Sequence, residues 1–257
     1  MNIPNEIQDL CQVFLRGLNM ALGDKLVGVY LYGALAFPEG GPTGDIDFHV
    51  ILSETLNDRE KSDLNDLHAT LARDFPPLGV DMDGYYILLE EARQTSPPRH
   101  QLLADVVDKS WALHREHIRA GRCIVLQGPD PRQVYPAASW PELESALQGE
   151  LDYVANHLTE YPDYCVLNLC RLIYSFDTGD VVVSKRASAR WAHDAYPEWR
   201  PHIEAAIKSY DRRATAEDRE ILASEVTSFF DFACERIRES SGKSAMAARA
   251  HLSEGRS

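Results

Sequence analysis

Residues 26–52 read LVGVYLYGALAFPEGGPTGDIDFHVIL. Leu26–Tyr32 is apolar, with Val27, Val29 and Leu31 alternating, which is the length and pattern of a strand. Gly33-Ala34 follows, and then Phe37–Gly44, whose three glycines and two prolines exclude regular structure. Asp45–Leu52 is the next strand. Asp45 and Asp47 are two apart and share a face, with Ile46, Phe48 and Val50 on the other. The unbroken run Val50-Ile51-Leu52 marks an end buried on both faces. The stretch therefore puts a carboxylate pair at the mouth of a glycine turn. Hard oxygen ligands beside close-approaching backbone N–H groups suit a divalent cation held against phosphate.

On the N-terminal side, Ile7, Leu10, Cys11, Phe14, Leu18 and Leu22 give helical spacing over 5–22. On the C-terminal side, Asn57 and Glu60 have capping-box spacing. They open a helix striped by Leu64, Leu67 and Leu71 that Pro76-Pro77 stops. Val80–Leu89, VDMDGYYILL, is a third strand on which Asp81 and Asp83 share a face, placed to add a third carboxylate to the pair. Leu102, Val106, Leu113 and Ile118 predict a helix over 102–118, and Cys123–Leu126 a short fourth strand. Beyond Ser139, which has capping-box spacing to Glu142, the periodicity is helical to the end. Helices are expected at 140–159, 163–178, 184–195, 199–212 and 215–239, with Gly179 as a C-cap. The fold class is α+β. A small mixed β-sheet flanked by helices occupies 1–138, and an all-α bundle occupies 139–257, with 240–257 a frayed tail.

A chain of 257 residues with 44% hydrophobic content has enough apolar mass for ordinary cores. It contains no apolar run of transmembrane length and no basic-then-apolar leader, so the expected location is cytoplasmic. The five cysteines are an odd number without zinc-ligand spacing, and Cys165 and Cys170 read as packing residues on a helix. A net charge of −14 argues against a nucleic-acid backbone as partner. It fits a small polycationic substrate, and it also fits plain solubility. His49 lies on the face of the aspartates, but Mg²⁺ prefers oxygen, so His49 reads as packing or support. His114 and His117 show no ligand pattern.

Gly33-Ala34, ten residues, then Asp45-Ile46-Asp47 resembles the G-S-x10-D-x-D element of the nucleotidyltransferase superfamily. Val166-Leu167-Asn168-Leu169-Cys170-Arg171-Leu172-Ile173-Tyr174-Ser175, then Thr178-Gly179, Ser184-Lys185 and Ala189-Arg190-Trp191-Ala192, is similar to the VLTLARxWYS…TG…SKD…ADWA stretch of the aminoglycoside nucleotidyltransferases that modify streptomycin and spectinomycin. The two elements come in the family's order, and the resemblance covers most of residues 20–215. It implies an N-terminal nucleotidyltransferase domain, a helical adenylyltransferase domain, and transfer of AMP from Mg-ATP to a drug hydroxyl with release of pyrophosphate. By this resemblance Asp45 and Asp47 bind Mg²⁺, two ions being expected. Asp83 matches the family's catalytic base, with Asp81 on the same face able to share the role. Gly33 and Ala34 face the nucleotide phosphates, and Arg171 and Lys185 match phosphate contacts. The residue-level alternatives are an internal salt bridge for Arg171 and a solvated first-turn position for Lys185. Asp163 is a candidate for a substrate ammonium group, with helix capping as its alternative. Trp191 reads as core.

Three departures stand out. Ala34 replaces the family's serine, which removes one hydroxyl contact worth about 0.5–1.5 kcal/mol and leaves backbone donors. Asp83 replaces a glutamate and is one methylene shorter. Ile173 replaces an aromatic. Two further readings remain: the same chemistry on a metabolite or protein acceptor, or a nucleotide-binding module without turnover. A monomer is expected.

Overall fold

A computed structural model describes residues 5–39, 44–103 and 105–254, with side chains not described for Glu6 and 241–254. Residues 40–43 of the expected glycine/proline loop and 255–257 of the expected tail lie outside the described residues. The chain divides into two compact units, Met1–Ala146 and Leu147–Ser257.

The first unit opens with a helical turn, Asn5–Ile7, and α1 (Gln8–Leu22). Next come β1 (Leu26–Tyr32), a 3-10 turn at Gly33–Ala36, β2 (Ile46–Leu52), α2 (Asp58–Asp74) and β3 (Met82–Leu88). The short α3 (Leu89–Ala92), α4 (Trp111–Arg119), β4 (Ile124–Gln127), the short α5 (Pro131–Val134) and α6 (Trp140–His157) follow. The sheet order is β3-β2-β1-β4, antiparallel except for the parallel pair β2–β3, which α2 connects. One face, carrying Val29, Leu31, Ile46, Phe48 and Val50, packs against Leu10, Phe14 and Leu18 of α1 and Leu64 and Leu71 of α2. The opposite face carries Tyr30, Tyr32, Ile51 and Ile87 and is covered by Trp111, Ile118 and Tyr135. The run 50–52 is buried on both faces as its composition requires. The box at the start of α2 is reciprocal: Asn57 Oδ1 accepts the Glu60 N–H at 2.9 Å, and Glu60 Oε2 accepts the Asn57 N–H at 2.8 Å.

The helix expected over 102–118 is shorter than its apolar spacing implies, because only Trp111–Arg119 is helical. Side chains in the preceding segment compete for the backbone donors a helix needs. His100 Nδ1 accepts the N–H groups of Leu102 and Leu103, and Asp108 Oδ1 accepts that of Ser110. Asp105 is at φ +66°, outside the helical region, and Val106, expected on the buried stripe, is exposed.

At the start of α6 the Glu142 carboxylate accepts the Ser139 N–H at 2.9 Å and is ion-paired to Arg115 of α4. The Arg115 side chain is 0% exposed and also donates to the Pro136 carbonyl. Removing the charge of Glu142 strands a buried guanidinium. Because Glu142 itself is 29% exposed, solvent screens part of the effect. Glu142→Gln should lower unfolding free energy by about 2 kcal/mol in a denaturant titration.

The second unit holds α7 (Pro162–Thr178), α8 (Lys185–Ala195), a helical turn at Pro197–Trp199, α9 (Arg200–Tyr210) and α10 (Ala216–Glu254). Its centre is α7, which buries Cys165–Cys170, Leu172, Ile173, Ser175 and Phe176 and packs against α8, α9 and α10. A helix buried nearly all round is the core of its bundle. Gly179 ends it at φ +73°, the left-handed cap position where a side chain is disfavoured. The final helix runs on to Glu254, past the expected break at 240. The boundary expected at 138/139 lies at the start of α6, and the division between the units falls inside that helix.

Candidate functional site

The register of β2 against its neighbours assembles the acidic cluster. Asp47 is the partner of Asp83 on β3 and of Tyr32 on β1, and His49 is the partner of Tyr85 and Tyr30. Side chains at partnered positions share a face. Asp47 and Asp83 are therefore neighbours on the face that also bears His49, Tyr30, Tyr32 and Tyr85. Asp45 and Asp81 stand just ahead of their strands, both exposed, and the Asp81 carbonyl accepts the Ile46 N–H at 2.9 Å. Asp47 is half-buried, while Asp83 is exposed at the sheet rim. The Asp83 carboxyl pKa is still raised above its ordinary value. Partial loss of hydration is the larger cause, and repulsion from Asp45 and Asp108 adds to it, against the opposing pull of His114.

Gly33 fixes the position of Asp47. Its φ is +71°, and a Cβ built there would lie 1.6 Å from Asp47 Oδ2. The carboxylate thus rests on the bare Cα of the turn, an approach that only glycine permits. Ala34, next in the turn, is half-buried and offers only backbone groups toward a ligand.

His100 steadies the strand bearing Asp83. Its Nδ1 accepts two N–H groups at 3.0 and 2.9 Å, so the ring proton is on Nε2, which donates to the Gly84 carbonyl at 3.0 Å. Burial lowers the His100 pKa below 6.5, more strongly than the Gly84 bond raises it. A histidine with a lowered folded-state pKa contributes stability that is present above about 6.5 and lost as pH falls through the folded value. The melting temperature of the chain should therefore fall between pH 7 and pH 5. In His100→Asn that slope should be shallower by up to about 1.4 kcal/mol per pH unit.

On the same sheet face, residues far apart in sequence meet. His49 Nε2 lies 3.6 Å from Asp108 Oδ2, and His114 Nδ1 lies 2.8 Å from the same oxygen. Burial opposes the charge on Asp108, but His114 and His49 hold its carboxyl well below the usual range. Burial lowers the His49 pKa, with Asp108 opposing. The Tyr32 ring lies against both histidine rings in tilted contacts, and Trp111, Tyr85 and Tyr135 complete the walls around His49. The expectation that His114 has no ligand pattern is corrected here. Asp108, which sequence spacing did not single out, joins two histidines from β2 and α4.

In the helical unit, Arg171 and Lys185 both neighbour Tyr164. The Lys185 ammonium stands 4.4 Å above its ring, and the Arg171 charge lowers the phenol pKa, while burial as the larger cause raises it to about 12. Asp163 is the second residue of α7. Its Oδ1 accepts the Tyr164 N–H and its Oδ2 the Ser209 hydroxyl, so the carboxylate ties α7 to α9. Tyr161, not Asp163, takes the N-cap position. Trp191 is half-buried between Tyr174 and Tyr196.

Residues 133–236 match the model of the aminoglycoside adenylyltransferase C-terminal domain. A spectinomycin 9-adenylyltransferase of Enterococcus faecalis is 23% identical over 217 residues, covering 75% of this chain and 83% of that protein. One of Campylobacter jejuni is 20% identical and covers 91% of this chain and 94% of its own. The crystal structure of an Enterococcus spectinomycin adenyltransferase with ATP and spectinomycin superposes with a TM-score of 0.71 at 18% identity, over 90% of this chain and 98% of that one. That likeness shows a shared fold across both units. Among the described residues, no helix is long and apolar enough to cross a membrane.

Proposed function

We infer, from a chain that is aminoglycoside adenylyltransferase-like in sequence and fold, that it transfers AMP from ATP to a hydroxyl of an aminoglycoside-type acceptor and releases pyrophosphate. The observation that carries this reading is the parallel register of Asp47 with Asp83, with Asp47 seated on Gly33. Carboxylates at partnered positions repel unless a cation lies among them.

The donor set fits Mg²⁺: all-oxygen and anionic. Asp45 and Asp47 would hold Mg²⁺, one ion or a pair. When bound, the metal offsets charge on the triphosphate and stabilises the attacking and leaving oxygens of an in-line displacement. Asp83 takes the proton of the acceptor hydroxyl as that oxygen forms its bond to the α-phosphorus and the bond to pyrophosphate breaks. A carboxyl with a raised pKa is closer to the working pH and so a better base. Asp83 carries the base role rather than Asp81 because it is the register partner of Asp47. The turn at Gly33-Ala34 offers backbone groups to the phosphates. Asp163, whose oxygens accept the Tyr164 N–H and the Ser209 hydroxyl, keeps lone pairs free for an acceptor ammonium group. The net charge of −14 favours a cationic acceptor over nucleic acid. The reading carries with it a monomer acting in the cytoplasm.

The test is Mg-ATP turnover across a panel of aminoglycosides that includes spectinomycin, read by product mass and pyrophosphate release. Addition of AMP to at least one acceptor is the expected result. No AMP adduct on any member, with ATP still bound, would replace this reading by a binding module or a different acceptor class.

A further inference from the structure

The transfer chemistry above makes no use of His49, Asp108 and His114, and yet their ligand atoms all lie within 4.8 Å of one another. We propose that these three residues form a transition-metal site of the Zn²⁺ class inside the first unit, on the same sheet face as the aspartate cluster but built from different residues. A four-coordinate zinc ion with bonds of ~2.0–2.1 Å spaces its ligands about 3.3 Å apart. The two separations at Asp108 Oδ2, 2.8 Å to His114 Nδ1 and 3.6 Å to His49 Nε2, bracket that value.

The independent observation is His49. Its side chain is 0% exposed, and the one group Nε2 faces, Asp108 Oδ2 at 3.6 Å, is too far for a well-formed hydrogen bond. A buried ring nitrogen so poorly satisfied by its carboxylate neighbour leaves room for a cation that bridges the two at bonding distance. The other ring nitrogen, Nδ1, has the Tyr135 hydroxyl at 3.3 Å, the kind of partner that orients a metal-bound imidazole. Asp108 Oδ1 is in turn held by the Ser110 N–H at 3.1 Å.

The donor types separate this site from its neighbour. Two imidazoles and one carboxylate favour zinc, cobalt or nickel, whereas the all-carboxylate cluster favours magnesium. The ion would take the place of the hydrogen bond between Asp108 and His114. It would join β2 to α4 through the segment that the competing hydrogen bonds keep from being helical.

The full chain, stripped with a chelator, is titrated with Zn²⁺ against a chromophoric competitor and separately with Co²⁺. The expected result is one equivalent of Zn²⁺ bound, with the intense d–d absorption of four- or five-coordinate cobalt. Affinity should fall at least tenfold in His114→Ala and be retained in Asp47→Asn. Asp108→Asn is a second test where it folds, and His114, 25% exposed, is the safer substitution. Three results would each overturn the proposal: weak octahedral cobalt spectra, a thiolate-to-cobalt charge-transfer band, or Zn²⁺ affinity unchanged in His114→Ala.

Discussion

Asp47→Asn should reduce AMP transfer by about 10²–10³-fold or more while leaving the fold intact, measured as kcat at saturating Mg-ATP and as the denaturation midpoint. The substitution preserves shape and removes one charge. Asp47 is half-buried, and the amide keeps its size and shape, so stability should change little. Activity should fall because an amide is a poorer ligand for a hard cation than a carboxylate. The two readouts moving apart is the diagnostic outcome. If both fell together, Asp47 would be a structural residue, and if neither moved, the aspartate cluster would not be the site.

How much of this was legible beforehand follows from the range over which each interaction acts. The period-two alternation across 26–32 and 46–52, the capping box at Asn57 and the left-handed cap at Gly179 are local, and the structure has them where spacing puts them. The pairing of Asp47 with Asp83 was half legible. A shared strand face was visible, but the parallel register that makes them partners depends on how α2 returns the chain. The failures are long-range or competitive. The 102–118 segment has the apolar spacing of a helix, and side-chain acceptors at His100 and Asp108 capture the donors instead. His49, Asp108 and His114 carry no spacing signal because β2, a loop and α4 supply one residue each. The Ser209 hydroxyl that Asp163 Oδ2 accepts is likewise beyond the reach of spacing, because it belongs to another helix.

Gly33→Ala should cost as much activity as removing the Asp47 charge, with a stability loss that Asp47→Asn lacks. Two effects add. An L-residue at φ +71° in the turn costs roughly 1–2 kcal/mol. The new methyl would also meet Asp47 Oδ2 at 1.6 Å and Cγ at 2.6 Å, so the carboxylate must leave its place or the turn must open. Either movement takes the metal ligand off the register it shares with Asp83. A double-mutant cycle separates the two effects. In an Asp47→Ala background the nearest remaining atom, Cβ, is 3.1 Å from the new methyl, a contact that a small shift relieves, so only the backbone cost should remain. Gly33→Ala should then be less destabilising in that background than in the parent chain, as read from urea midpoints. Equal costs in both backgrounds would mean that the glycine serves the turn alone and that the seat for Asp47 is incidental. A smaller cost in the Asp47→Ala background would tie the glycine of the motif to its aspartate as one device, although the two lie on different elements and fourteen positions apart.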